Sequence, residues 1–567
     1  MREPSKRMLK AVSAVIAALA CAGGWPMTEA RAQPVNANLL LDKAQPDECF
    51  VGVGSAQNLP WKPGESCAGS LKVNQAYVWG LAKTSNRLWF GTAANVHCLV
   101  LQAYLGITTE VRTPSYVCEF QKHVFNPALP AGVPGDWRPP KIYVRDLVND
   151  KTIDLFGNLT LAGKALLNST LGIRSTGTNN GVVFFAGPSL DNKAINVFAF
   201  KDDTNMTFIG GKRLDVYNDI RQWIVANGHL YTGTRVTADG TGRVIRWAGN
   251  ATDPFVFEEV GKTDAEPAYF ALQKGRLYTT TWGGVNADKR PSGLYVGPPI
   301  PTGAPLTSAD QDKWTKIWDV AKYEVDPVTA ATLVGGAISS YRDQLYWGLM
   351  QVPFTGVLAH YKACEAAPRT SQDMMVSIVN STRPIPIFRS AGDPTDARAQ
   401  LLYGSAKLAK YDCANKVWRT VANAAGQKPL YGEGGFGNFF NTYTWASTVY
   451  RNRLYFGTFD WSYLFGDGLP LIAAALNLDV PADYLQFISL AGQQGTYGAD
   501  MWRFDSATTP ARAESQTGLG NYLNYGIRTI SADANNMYVG MANPMNLKTG
   551  GTQNGGWELR KLSPASR

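Results

Sequence analysis

A short aromatic strand, written seven times along the chain, limits what this sequence can fold into. Its clearest copies are Asn86-Arg87-Leu88-Trp89-Phe90-Gly91-Thr92, Gly228-His229-Leu230-Tyr231-Thr232-Gly233-Thr234 and Asn452-Arg453-Leu454-Tyr455-Phe456-Gly457-Thr458. Looser copies begin at Gly275, Asp343 and Asn536, and a degenerate one runs from Gly181 to Gly187. Each follows another short strand through a turn rich in Asn, Asp or Gly, residues that tolerate the positive φ of tight hairpins. A third strand often comes next (242–247, 499–504, 556–562), and a fourth is visible at 255–260.

Leu230 and Leu277, at equivalent places in adjacent copies, are 47 residues apart, an interval that suits four antiparallel strands per repeat. One such sheet cannot cover both of its own faces. Sheets arranged around an axis cover each other and leave only short edges. The expectation is therefore an all-β chain, a seven-bladed β-propeller with long loop insertions on one face. A linear β-solenoid is the competing arrangement. Six or eight blades also stay open, because the copy at Val183 is weak and the segments 93–170 and 351–440 are long.

The chain begins with Arg2, Lys6, Arg7 and Lys10, then the apolar run 11–22 and Ala30-Arg31-Ala32. A basic head, a short apolar core and small residues at −3 and −1 predict a secretory signal over residues 1–32. A lipoprotein signal ending at Cys21 is the alternative. Residues 33–74 form an N-terminal segment, in which 49–54 is expected to supply the outer strand missing from the last repeat. The repeats occupy 75–567, with insertions near 93–140, 283–313, 351–440 and 459–498, the last with a short helix at 469–476. Six cysteines remain after the signal, and their spacing favours local disulfides: Cys49–Cys67, Cys98–Cys118 and Cys364–Cys413.

Removal of the signal lowers the formal net charge from +9 to +6, with lysine and arginine scattered, so nucleic acid is not an expected partner. No transmembrane segment is expected in the mature chain, and nothing calls for a cofactor. The four histidines, His97, His123, His229 and His360, show no metal-ligand spacing. His97 and His123, in one insertion, are candidate bases, although solvated loop histidines are the plainer reading.

Nine residues before each repeated Leu, Val or Met stand Trp79, Arg174, Arg221, Ala268, Gly336, Trp445 and Arg528. Arg174, Arg221 and Arg528 share similar surroundings and are expected near the start of the innermost strands. There they would either encircle an anion or tie neighbouring repeats together. Trp79, Trp445 and Trp282, with Asp460 and Asn543 after the second strands, complete the candidate ligand-binding set.

The pattern resembles that of exported bacterial β-propeller proteins in general, over nearly the whole mature chain. It lacks the regular Gly-His and Trp-Asp pairs and the double-glycine rhythm of named propeller repeats, so the resemblance implies no active site. The leading expectation is a non-catalytic binding or interaction protein, periplasmic, extracellular or surface-associated, with an anionic or carbohydrate ligand or an envelope protein as partner. A hydrolase or lyase acting on an anionic or polyhydroxylated extracellular substrate is the alternative, with Asp460 and a histidine handling protons. A structural subunit of an envelope assembly is the third.

Overall fold

A computed structural model describes residues 32–57, 61–120, 136–283, 290–365, 368–465 and 497–565. The expected signal up to residue 31, the helix expected at 469–476 and His123 lie outside these residues. Among the described residues seven antiparallel units of four strands can be traced. Their first strands are Gln75–Lys83, Ser175–Asn179, Tyr217–Ala226, Glu266–Gln273, Leu333–Tyr341, Asn441–Tyr450 and Gly526–Ala532, taken here as units 1 to 7. Each first strand touches that of the next unit, and the first strand of unit 7 touches that of unit 1. The arrangement is all-β and propeller-like. Single backbone bridges, Met350 to Tyr443, Phe459 to Gly526 and Ala542 to Tyr77, merge units 5, 6, 7 and 1 into one continuous sheet.

The repeated aromatic strand is the second strand of each unit, and its composition follows from having a neighbour on both faces. Successive side chains of a strand point to opposite sides. Trp89 accordingly packs with Phe185, Phe198 and Phe200 of unit 2, while Leu88 and Phe90 pack with Tyr538 and Trp557 of unit 7. Leu454 and Phe456 face unit 5, and Tyr455 faces unit 7. Burial of each such side chain contributes about 1.5–3 kcal/mol. The core is a series of layers between units.

The glycine of the motif has its own task. A Cβ on Gly91 would overlap Ile173 of unit 2, one on Gly457 would overlap Ile527 of unit 7, and one on Gly540 would press on Val78 of unit 1. The glycine lets the first strand of the following unit come close, and the same contact recurs where unit 7 meets unit 1.

The fourth strand of unit 7 differs from expectation. Residues 49–54 do not supply it. Asn36–Lys43 pairs antiparallel with Glu558–Pro564, from Asn36 opposite Pro564 to Lys43 opposite Glu558. Glu48–Gly52 instead makes a small sheet with Ser55–Gln57 and Ser70–Lys72. That sheet is fixed by charge: buried Lys72 reaches Glu119 and Asp136, each at 2.7 Å, and Arg138 reaches Glu48 at 2.8 Å. All three expected disulfides are formed.

The segments between second and third strands hold more than loops. In unit 1 this segment carries the helix Val96–Leu105. In unit 5 it carries helices Thr355–Cys364 and Ser371–Ser381. A hairpin, Lys407–Asp412 with Val417–Ala422, comes after the last strand of unit 5. No described helix is long and apolar enough to cross a membrane.

Candidate functional site

Six of the seven residues standing nine before the repeated Leu, Val or Met share a backbone feature that sequence did not show. In units 1, 6 and 7 the strand pairing skips one residue: Val78 lies opposite Thr92 and Gly80 opposite Gly91, leaving Trp79 extra. Trp445 and Arg528 are left over in the same way. In unit 3 Arg221 and Gln222 lie opposite the single position of Gly233. A β-bulge re-aims its extra side chain, and here the bulges turn these side chains toward the middle of the array. Arg174 precedes its strand without a bulge, held by its amide donating to the Ala186 carbonyl at 2.8 Å.

Two cavities meet at this layer. One, of about 290 Å³, is lined by the later halves of the first strands, including Lys83, Ser175, Thr178, Ser447 and Thr529. The other, of about 180 Å³, lies on the insertion side, under the helix Val96–Leu105. Trp79, Arg221, Trp445 and Arg528 line both. Arg174 and Trp282 line the insertion-side chamber.

The three arginines differ in their partners. Arg174 of unit 2 donates through Nη1 to both carboxylate oxygens of Asp219 in unit 3, at 2.5 and 2.6 Å, and lies 5.3 Å over the Trp79 ring. Arg221 of unit 3 places Nε 3.0 Å from Glu266 of unit 4, and its guanidinium is 3.5 Å from the centre of the Trp282 ring. The Nε atoms of all three lack a hydrogen-bond partner among the described residues, including that of Arg528 of unit 7, which lies 5.7 Å over Trp445 and is 3 % exposed. Nor does any carboxylate among them pair with Arg528.

Burial, then the charges of Arg174 and Arg221, lower the Arg528 pKa to about 10, so it stays charged at neutral pH. Burial pushes Glu266 up to about 7, with Asp219 adding repulsion. Burial acts the same way on Asp219, but Arg174 and Arg221 outweigh it and hold that carboxyl below its usual range. With Arg235, whose Nη2 is 3.9 Å from Asp219, four guanidinium groups thus face at most two carboxylates.

No family model and no curated protein matches the chain. Solved structures match in fold. The Dos1 propeller is similar over 87% of this chain and 93% of its own, at 8% identity and a TM-score of 0.39. The polysaccharide lyase Uly1 is similar over 94% of this chain and 100% of its own, at 6% identity and a TM-score of 0.38. An ancestral GH74 enzyme is similar over 93% and 52%, at 10% identity and a TM-score of 0.37. The resemblance is distant, to propeller-like folds that include carbohydrate-active enzymes. A likeness at this level concerns the course of the chain and says nothing of chemistry.

Two of the residues expected at the same mouth are placed elsewhere. Asp460 is buried, accepting from Asn438 Nδ2 and from the Ser462 amide, both at 2.7 Å, and borders Asp500. Burial raises Asp460 to about 6, and burial with the Asp460 charge raises Asp500 to about 7. Asn543 donates to Asn524 Oδ1 at 3.2 Å and the Asn554 carbonyl at 2.8 Å. Neither residue lines either of these two cavities. His97 does line the chamber, edge-on to Tyr116 at 4.7 Å, and burial lowers its pKa to about 4. His360 is buried against Asp326 at 3.1 Å.

Asp219 and Glu266 were missed because each reads as an ordinary strand-end acid. The alignment that finds the arginines would also find them. Two residues before the aligned position stand Tyr77, Gly172, Asp219, Glu266, Val334, Tyr443 and Gly526. Each paired arginine meets the acid in that column of the next unit. For Arg528 the next unit is unit 1, and that position holds Tyr77.

Proposed function

We propose that this chain is an exported, closed seven-bladed β-propeller that holds a small anion at its centre, on Arg528. The exported character is supported by the N-terminal signal pattern together with three disulfides. Closure is supported by contact between the first strands of units 7 and 1 and by the N-terminal strand on the last unit. The observation that carries the anion reading is a buried guanidinium, aimed into two cavities, without a carboxylate. A buried charge lacking a partner is costly, and stacking on Trp445 offsets only about 2 kcal/mol. An anion from outside would complete the pattern that Asp219 and Glu266 complete for the other two arginines.

A catalytic role on the same anion, by hydrolysis or elimination, is favoured by His97 in the chamber wall. Its lowered pKa keeps the imidazole neutral at neutral pH, which leaves a ring nitrogen free of a proton although it makes His97 a weak base. Anionic oligosaccharides incubated with the protein would then yield new reducing ends or unsaturated products, and His97→Gln would abolish them.

The anion reading is tested with sulfate as the probe. Arg528→Leu should weaken sulfate binding about tenfold or more, with thermal stability in the absence of anion unchanged or raised. Tyr77→Glu, which supplies the absent internal partner, should also suppress binding. Arg221→Leu should behave differently and destabilise by about 3 kcal/mol, because it strips Glu266 of its cation. Equal sulfate affinity in wild type and Arg528→Leu would sink the reading.

A further inference from the structure

The anion-binding reading says where a charge would sit and nothing about the body attached to it. The wall of the insertion-side chamber speaks to that. Val96, Leu99, Val100 and Ala103 of the helix Val96–Leu105 line it. In all, eight of the ten residues of this helix line the chamber, and six of the eight are apolar. Phe354 and Leu464, from the insertions of units 5 and 6, extend the same surface. Phe354 is held at φ 67°, a strained setting for an aromatic residue, with its ring 5.2 Å from Trp461.

Besides the arginines and the indoles, the polar groups of this wall are His97 and the hydroxyls of Tyr77, Tyr104, Tyr443 and Tyr525, set among a larger number of aliphatic and aromatic side chains. The Tyr77 and Tyr525 hydroxyls bond to each other. His97 is turned against Tyr116. Hydroxyl-bearing strands line the opposite cavity instead. A sugar acid placed in the insertion-side chamber would leave several hydroxyls without partners, at about 1–3 kcal/mol each. The chamber, of about 180 Å³, has room for a small ring or a short chain.

We infer that the ligand is an amphipathic organic anion. Its carboxylate or sulfonate meets Arg528 at the arginine layer, and its apolar or aromatic body lies against the helix Val96–Leu105. The inference rests on the anion-binding reading and narrows its ligand class. It places the polar end toward the hydroxyl-lined cavity and the apolar end under the insertions.

Calorimetric titration of the full chain with benzoate, hexanoate, galacturonate, benzyl alcohol and sulfate tests it. Benzoate or hexanoate should bind at least about tenfold more tightly than galacturonate, which has the same charge, and than benzyl alcohol, which has none. Galacturonate binding as tightly as benzoate overturns the inference and leaves the anion reading standing. Failure of sulfate and every carboxylate to bind overturns both. Val100→Asn should weaken benzoate and leave sulfate unaltered. Ala103→Leu, which fills the chamber without adding polarity, should do the same if Val100→Asn does not fold. Unchanged benzoate affinity in the folded variant counts against the apolar wall.

Discussion

Arg174 and Arg528 stand in nearly the same local sequence, Gly172-Ile173-Arg174-Ser175 and Gly526-Ile527-Arg528-Thr529. Both lie over a tryptophan of the preceding unit, because Gly172 and Gly526 leave no side chain where those rings pass. Their electrostatics nevertheless differ, and one residue of the following unit decides it: Asp219 for Arg174, Tyr77 for Arg528. A second residue-scale pair is Asp460 with Asp500, whose carboxyl groups burial raises to about 6 and about 7. Groups with folded pKa values raised this way favour the folded state fully below the unfolded carboxylate value near 4. That contribution is lost as pH climbs through 6 to 7. Asp500→Asn keeps an oxygen able to accept from Asn441 Nδ2, which now donates at 2.7 Å. Denaturant unfolding should show a flatter stability curve between pH 4 and 7 and a gain of about 1–2 kcal/mol at pH 8. No gain at pH 8 would mean that the pair is ionised in the fold without cost.

At the scale of the element, two devices recur: the bulge in the first strand and the glycine in the second. The first aims a side chain at the centre, and the second lets the neighbouring first strand approach. The glycine was legible as part of the motif, while its reason was not, since Gly457 meets a residue seventy positions away, Ile527. Gly457→Val should destabilise by about 2–3 kcal/mol, as overpacking of a tight core does. Ile527→Ala alone should also destabilise, by about 2–5 kcal/mol. The double variant should be less unstable than the sum, with a coupling of about 1 kcal/mol or more in a double-mutant cycle. Strict additivity would mean that the two side chains do not compete for one space. The insertions were legible as long segments between strands, but the apolar residues of the helix Val96–Leu105 had no visible target until the chamber beneath it appeared.

For the whole molecule, the decisive contact joins the two ends of the described chain. Asn36–Lys43 covers the edge of Glu558–Pro564, and Glu514 accepts from the Asn36 amide at 2.9 Å. An uncovered strand edge invites pairing with other chains. Removal of residues 33–43 should lower the thermal midpoint and promote concentration-dependent association, both read by light scattering during a thermal ramp. A variant that stays monomeric with an unchanged midpoint would show the strand to be dispensable for closure.

Sequence by itself determined the repeat, the alternation that buries both faces of each second strand and the equivalent repeat positions of three arginines, and it favoured the local disulfides among fifteen possible pairings. These are short-range patterns, set by the two-residue period of a strand and by the chain length between cysteines. It did not determine which N-terminal segment covers the last unit, that Asp460 and Asn543 are engaged by neighbouring asparagines and loop groups outside the two cavities, or which arginine lacks an acid. Those depend on which unit follows which in space, as with the Tyr77 and Tyr525 hydroxyls, which meet across 448 positions of chain. Only the tertiary structure decided that the unit packed next to unit 7 is unit 1, whose residue at the acid's position is Tyr77, because unit 7 has no following unit in sequence.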